Sequence, residues 1–101
     1  MTNERLDQAA IEDAVRDLTG WALSDDHAAI TRDFRFRNFR EAFAFMSECA
    51  LAAEKADHHP EWSNVYNKVH VLLSTHSAGG ITRLDLEMAR MMNAAAARFD
   101  V

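Results

Sequence analysis

One cysteine, Cys49, stands in a chain of 101 residues. No disulfide can therefore form within the chain, and no cysteine-based zinc knuckle can be built. Cys49 falls in a helical run of apolar residues, where a buried, inert thiol is expected. Proline also occurs once, at Pro60, and glycine three times. No Pro/Ser-rich linker, internal repeat or low-complexity segment divides the chain. No apolar run approaches the roughly 20 residues that a membrane span requires. The opening Met1-Thr2-Asn3-Glu4-Arg5 lacks the apolar centre of a signal peptide. Basic charge is scarce as well. Eleven Lys and Arg against sixteen Asp and Glu give a net charge of −5, which argues against a phosphate-binding footprint. The nearest basic group, Arg32, Arg35, Arg37 and Arg40, is interleaved with Phe34, Phe36 and Phe39. It reads as the solvated edge of a strand running into a helix. Neither a nucleic-acid nor a membrane partner is expected, and a reducing cytoplasm is the natural setting.

What is present is an ordinary globular composition, 49% hydrophobic and 27% charged. One domain over residues 1–101 is expected, burying roughly 65% of its unfolded-chain surface. Leu6, Ala10, Ile11, Ala14, Val15 and Leu18 form one helical stripe, and Gly20 is a stop signal. Trp21-Ala22-Leu23 and the stretch through Ile30, Phe34 and Phe36 read as hairpin partners joined across Ser24-Asp25-Asp26. Asn38 and Glu41 have the spacing of a capping box, opening a helix that runs to about Ala56. Two strands follow Pro60, about Trp62 to Tyr66 and Lys68 to Thr75, with Val69, Val71 and Leu73 on one face. Thr82 to Asp85 opens a last helix, with Ile81 and Leu86 as a hydrophobic staple. Its buried face is predicted at Leu84, Met88, Met91, Ala95 and Phe99. The order α-β-β-α-β-β-α predicts an α+β fold, a four-stranded antiparallel sheet with three helices packed on one face.

One stretch concentrates the chemistry: Glu54-Lys55-Ala56-Asp57-His58-His59-Pro60-Glu61-Trp62. Pro60 has no N–H to give and restricts His59 to extended geometry. Two imidazoles are thus held on stiff backbone between regular elements. Neighbouring side chains on extended backbone diverge, so His58 and His59 face one target only if the chain bends there. Taken alone, Asp85 is explained by capping, His76 by an exposed strand end, Glu54 by solvation and Trp62 by the core.

The run from Glu54-Lys55 through His58-His59-Pro60-Glu61-Trp62 and Asn64-Val65-Tyr66-Asn67-Lys68-Val69 to His76, Gly79-Gly80-Ile81-Thr82 and Asp85 resembles the pterin-4a-carbinolamine dehydratases. The strong match spans about residues 54–90, and a weaker one extends forward through Gly20-Trp21. The resemblance implies an enzyme that removes water from a 4a-hydroxytetrahydrobiopterin-type pterin, giving quinonoid dihydropterin. It implies no metal and no bound cofactor. By position His58, His59 and His76 would be catalytic, with Glu54, Asp57, Trp62 and Asp85 supporting the pocket. His27 and His70 are assigned nothing. The pterin is the implied substrate, with a functional link to an aromatic amino-acid hydroxylase. A homodimer or homotetramer is implied too. Some animal members also act as dimerisation partners of a transcription factor, and pterin handling in molybdenum-cofactor biosynthesis is a further reading.

The residues suit that chemistry. Dehydration of a carbinolamine needs a proton delivered to the leaving 4a-hydroxyl and another removed from N5. Imidazole, titrating near pH 6.5, can serve on either side of that exchange. A zinc site of His58, His59 and His76 is the chemical rival, disfavoured because adjacent ligands diverge. The central helix carries a second expectation. Its stripes through Phe43 and through Phe45 lie roughly 160° apart, and one small sheet covers only one of them. The strip of Phe45, Cys49 and Ala52 is expected to remain outside as an oligomer contact.

Overall fold

The computed structural model describes residues 4–101; Met1, Thr2 and Asn3, the start of the polar opening stretch, lie outside the described residues. Helix α1 (Gln8–Arg16) starts where the Asp7 carboxylate accepts the Ala10 N–H at 2.8 Å. It is shorter than the Leu6–Leu18 stripe. Leu6 instead donates its N–H to the Ile81 carbonyl at 2.9 Å, and Leu18 is buried beyond the helix end. Strands β1 (Ala22–Leu23), β2 (Ile30–Arg35), β3 (Glu61–Val65) and β4 (Lys68–Leu73) form one antiparallel sheet in the order β1-β2-β4-β3. Helix α2 (Phe39–Ala56) lies between the two strand pairs in sequence, and helix α3 (Arg83–Ala97) follows β4. The α-β-β-α-β-β-α order and the helix-covered sheet are as the sequence predicts.

Parity assigns the faces. Ile30 and Phe34 of β2 and Val69, Val71 and Leu73 of β4 are buried under the helices. Asp33, Arg35, Lys68 and His70 are exposed on the opposite face. Arg32 departs from the solvated-edge reading. It lies opposite Val71, donates to the Thr19 carbonyl (3.1 Å) and Asn93 Oδ1 (2.6 Å), and stacks 4.2 Å from the Phe34 ring centre. It is a structural cation.

The stripes of α2 are exchanged relative to expectation. Phe45 is 0% exposed, its ring centre 4.7 Å from that of Phe34 and 5.0 Å from that of Phe36. Phe43 is 57% exposed and Phe39 48%. Ala42, Cys49 and Ala53 continue the buried row. Side-chain size decides between the stripes. Small residues around one large ring let the helix approach the sheet closely, whereas the Phe39 and Phe43 rings would hold it away. Burial pushes the Cys49 thiol up to about 12, so it is the inert thiol expected. In α3 the buried face includes Met88 and Ala95 but centres on Asp85, Ala89, Met92 and Ala96; Leu84, Met91 and Phe99 are half-buried. An aspartate at the start of that face is the reason. Its place in the core is set by the site.

Candidate active site

Helix α2 ends by design of its backbone. Asp57 adopts the left-handed conformation (φ 52°), the Asp57 N–H reaches the Glu54 carbonyl (3.2 Å) and the His58 N–H reaches the Ala53 carbonyl (3.1 Å). This is the doubly bonded helix stop usually built on glycine, and aspartate is among the side chains that tolerate it. The Asp57 side chain is exposed. Its demonstrated contribution is the reversal that sends the next residue inward.

That residue is His58, 8% exposed. Its Nε2–H donates to Asp85 Oδ1 at 2.6 Å. Asp85, at 0% exposure, is one of the best-held groups in the molecule. Its Oδ2 accepts from the Thr75 hydroxyl (2.8 Å) and from the Thr82 N–H (2.9 Å), the latter closing the α3 capping box. Because the single Thr75 proton goes to Asp85, the Thr82 hydroxyl is the donor in its 2.8 Å contact with Thr75. Every polar atom of this buried group is therefore partnered, as burial demands.

The register explains why these elements meet. Glu61 lies opposite Leu72 at the end of the β3–β4 pair, so His58 just before β3 and Thr75 just after β4 leave the sheet at the same end. Asp85 touches both. His59 faces the other way and is exposed, its Nε2–H donating to Glu54 Oε1 at 2.8 Å. The two adjacent imidazoles thus diverge, as extended backbone requires. His76 begins a short 3-10 turn (His76–Ala78) and donates Nε2–H to Glu61 Oε1 at 2.8 Å. His59, Glu61 and His76 are all exposed at this end of the sheet. His76 and Glu61 line a cavity of about 360 Å³ together with Leu72, Ser74 and residues of the β1–β2 turn that include Ser24 and Asp26. His58 lines a different and smaller one between α2 and α3.

The seven residues singled out from sequence therefore divide. His58 with Asp85, and His59 with Glu54, are in direct contact. His76 pairs with a carboxylate that sequence reasoning passed over, Glu61. Trp62 lies opposite Val71, half-buried against the core. Asp57 acts through its backbone. Thr75 was also missed, although its parity with Val69, Val71 and Leu73 placed a hydroxyl on the buried face. The three-histidine metal set is not assembled: among the described residues, no group of three His, Cys, Asp or Glu is placed to hold a metal ion.

In all three pairs the carboxylate accepts from Nε2, which leaves Nδ1 of the neutral ring as the unprotonated nitrogen. Such a ring can take a proton at Nδ1 and return it.

Known proteins share this chain's sequence pattern and fold. The sequence profile of the family described as pterin 4 alpha carbinolamine dehydratase matches residues 4–95. A Sinorhizobium fredii protein, named provisionally as a pterin-4-alpha-carbinolamine dehydratase, is 58% identical over 97 residues, covering 96% of this chain and 92% of its own. A Bradyrhizobium protein with the same provisional name is 60% identical over 94 residues, 93% of this chain and 94% of its own. The crystal structure of a transcriptional coactivator/pterin dehydratase from Brucella melitensis superposes with a TM-score of 0.90 at 54% identity, covering 92% of this chain and 99% of that one. With a profile match over nearly its whole length and relatives this similar, the chain belongs to the pterin-4-alpha-carbinolamine dehydratase family.

Proposed function

We propose that this protein dehydrates a 4a-hydroxytetrahydrobiopterin-type carbinolamine to quinonoid dihydropterin and water, in the recycling of a tetrahydropterin cofactor. The observation that carries the reading is the repeated pairing of His58, His59 and His76 with one carboxylate each. His59 and His76 are exposed and keep Nδ1 free for substrate. One, protonated, gives its proton to the departing 4a-hydroxyl; the other, neutral, receives the N5 proton. His58 stands behind them, its tautomer fixed by Asp85, and ties the histidine run to α3. The purified protein should accelerate quinonoid dihydropterin formation, followed by absorbance, above the spontaneous reaction. The chemistry assigned to these residues is proton transfer alone, so dialysis against a strong chelator should leave the rate unchanged. A rate equal to buffer, at protein concentrations near that of substrate, would overturn the proposal.

We further propose that the protein works as a homodimer or homotetramer joined through the outer stripe of α2. Phe39, Phe43 and Leu51 are 48%, 57% and 76% exposed on that helix, and clustered exposed apolar side chains mark interfaces. Two-fold symmetry lets the stripe cover its own copy. Phe43→Glu should lower the mass measured by light scattering at micromolar concentration and leave the far-UV dichroism unchanged, since Phe43 lies outside the core. A wild-type monomer would reserve the stripe for a different protein, the reading closest to the coactivator role named for the Brucella relative.

A further inference from the structure

We propose that Asp26, on the turn between β1 and β2, recognises the 2-amino and N3–H edge of the substrate's pyrimidine ring within the cavity it shares with His76 and Glu61. The inference rests on the dehydratase reading and adds to it a specificity residue outside the histidine motif. The cavity, about 360 Å³, is of the size that holds a small bicyclic ligand. Its walls come from two separate parts of the chain. One is the end of the β3–β4 pair with Glu61, Ser74 and His76, and the other is the β1–β2 turn with Ser24 and Asp26. A ligand seated there meets His76, paired with Glu61, on one side and the Asp26 carboxylate on the other.

The two carboxylates lining this cavity differ in what they have left to offer. Glu61 is already engaged by His76 at 2.8 Å. Asp26 accepts from the Ser24 hydroxyl (2.6 Å) and from the Ala28 N–H (3.0 Å), and both bonds end on Oδ1. They fix the side chain and leave the lone pairs of Oδ2 for a donor on a ligand. The Ser24 hydroxyl, with the Ala28 N–H, holds the Asp26 carboxyl below the usual carboxylate range, so it is ionised at neutral pH. The pterin supplies the complement. Its 2-amino group and N3–H are adjacent donors on the pyrimidine ring, at the far end of the bicycle from N5. An anionic acceptor binds such donors through charge-assisted hydrogen bonds. It also rejects rings carrying a carbonyl in place of the 2-amino group, because acceptor would then face acceptor.

Asp26→Asn separates recognition from folding, since the amide oxygen can still accept from Ser24 and Ala28. Calorimetric titration with 7,8-dihydropterin and with its 2-desamino counterpart provides the readout. Wild type should bind dihydropterin about tenfold or more tighter than the desamino ring, the worth of a hydrogen bond to a charged group, and Asp26→Asn should lose that preference. In turnover the variant's KM for the carbinolamine should rise by a similar factor, with kcat within about twofold of wild type. Dihydropterin binding that is equal in both proteins, with wild-type turnover intact, would overturn the assignment of Asp26 alone. A wild type that neither turns over carbinolamine nor binds dihydropterin would overturn the dehydratase reading, and this inference with it.

Discussion

His59→Ala should lower the dehydration rate by roughly two to four orders of magnitude, the span removed with a general acid or base, while stability changes by less than about 0.5 kcal/mol. The two halves of that expectation have separate structural grounds. The His59 side chain is 56% exposed and its partner Glu54 is 81% exposed, so their ion pair contributes little to folding. Pro60, not the imidazole, keeps the backbone extended at this position. What disappears is the Nδ1 that exchanges a proton with substrate. The control is His27, outside the motif on the β1–β2 turn, where φ is 61°. Asparagine tolerates that conformation better than alanine, so His27→Asn removes the ring without straining the turn. Stopped-flow absorbance on the two variants decides the matter. Equal damage from both, or an undiminished rate in His59→Ala, would show that the proton passes through another group.

The contrast between His58 and His59 shows how far sequence carries. The divergence of the two side chains was legible from Pro60 and the extended backbone it enforces. Which one turns inward was not. That depends on the left-handed Asp57 at the end of α2 and on a buried carboxylate waiting 27 residues later, and neither has a periodic signature. Asp85 was legible as a helix cap from Thr82 and its spacing. Its second oxygen, serving His58 across the core, became visible only with β4 and α3 in place. The same limit appears in α2. Two apolar stripes were evident, but choosing between them required the sizes of the facing side chains. Phe45 fits between Phe34 and Phe36 only once β2 is beneath it. A glutamate at position 45 would accordingly strike the core of each monomer and not an interface. Strand parity was the most informative local signal: it put the Thr75 hydroxyl on the buried face, whereas the contact of Glu61 with His76 needed β3 and β4 side by side.

Asp85→Ala should cost about 3–5 kcal/mol, because it leaves three buried donors without their acceptor. The carboxylate serves three donors at once: the His58 ring, the Thr75 hydroxyl and the Thr82 N–H. All three lie in residues less than 9% exposed, and alanine leaves each without its acceptor where water does not readily replace it. Orphaned groups of this kind cost about 1–3 kcal/mol apiece, and partial relaxation holds the total to the lower half of that sum. Against a typical domain stability of about 5–15 kcal/mol, the variant should be marginal, with its melting temperature lowered by roughly 12–40 °C at 4–8 °C per kcal/mol. Asp85→Asn divides the effect. Its amide oxygen can accept from Thr75 and Thr82, while the amide group facing His58 offers a donor where an acceptor stood. Since a neutral imidazole can answer that donor only by moving its proton to Nδ1, Asp85→Asn should keep more stability than Asp85→Ala yet leave His58 in the wrong tautomer. Urea unfolding gives the first quantity and the nitrogen shifts of the His58 ring give the second. An Asp85→Ala protein within about 1 kcal/mol of wild type, well below the cost of three orphaned donors, would mean that the buried network is replaceable and that His58 is held by packing.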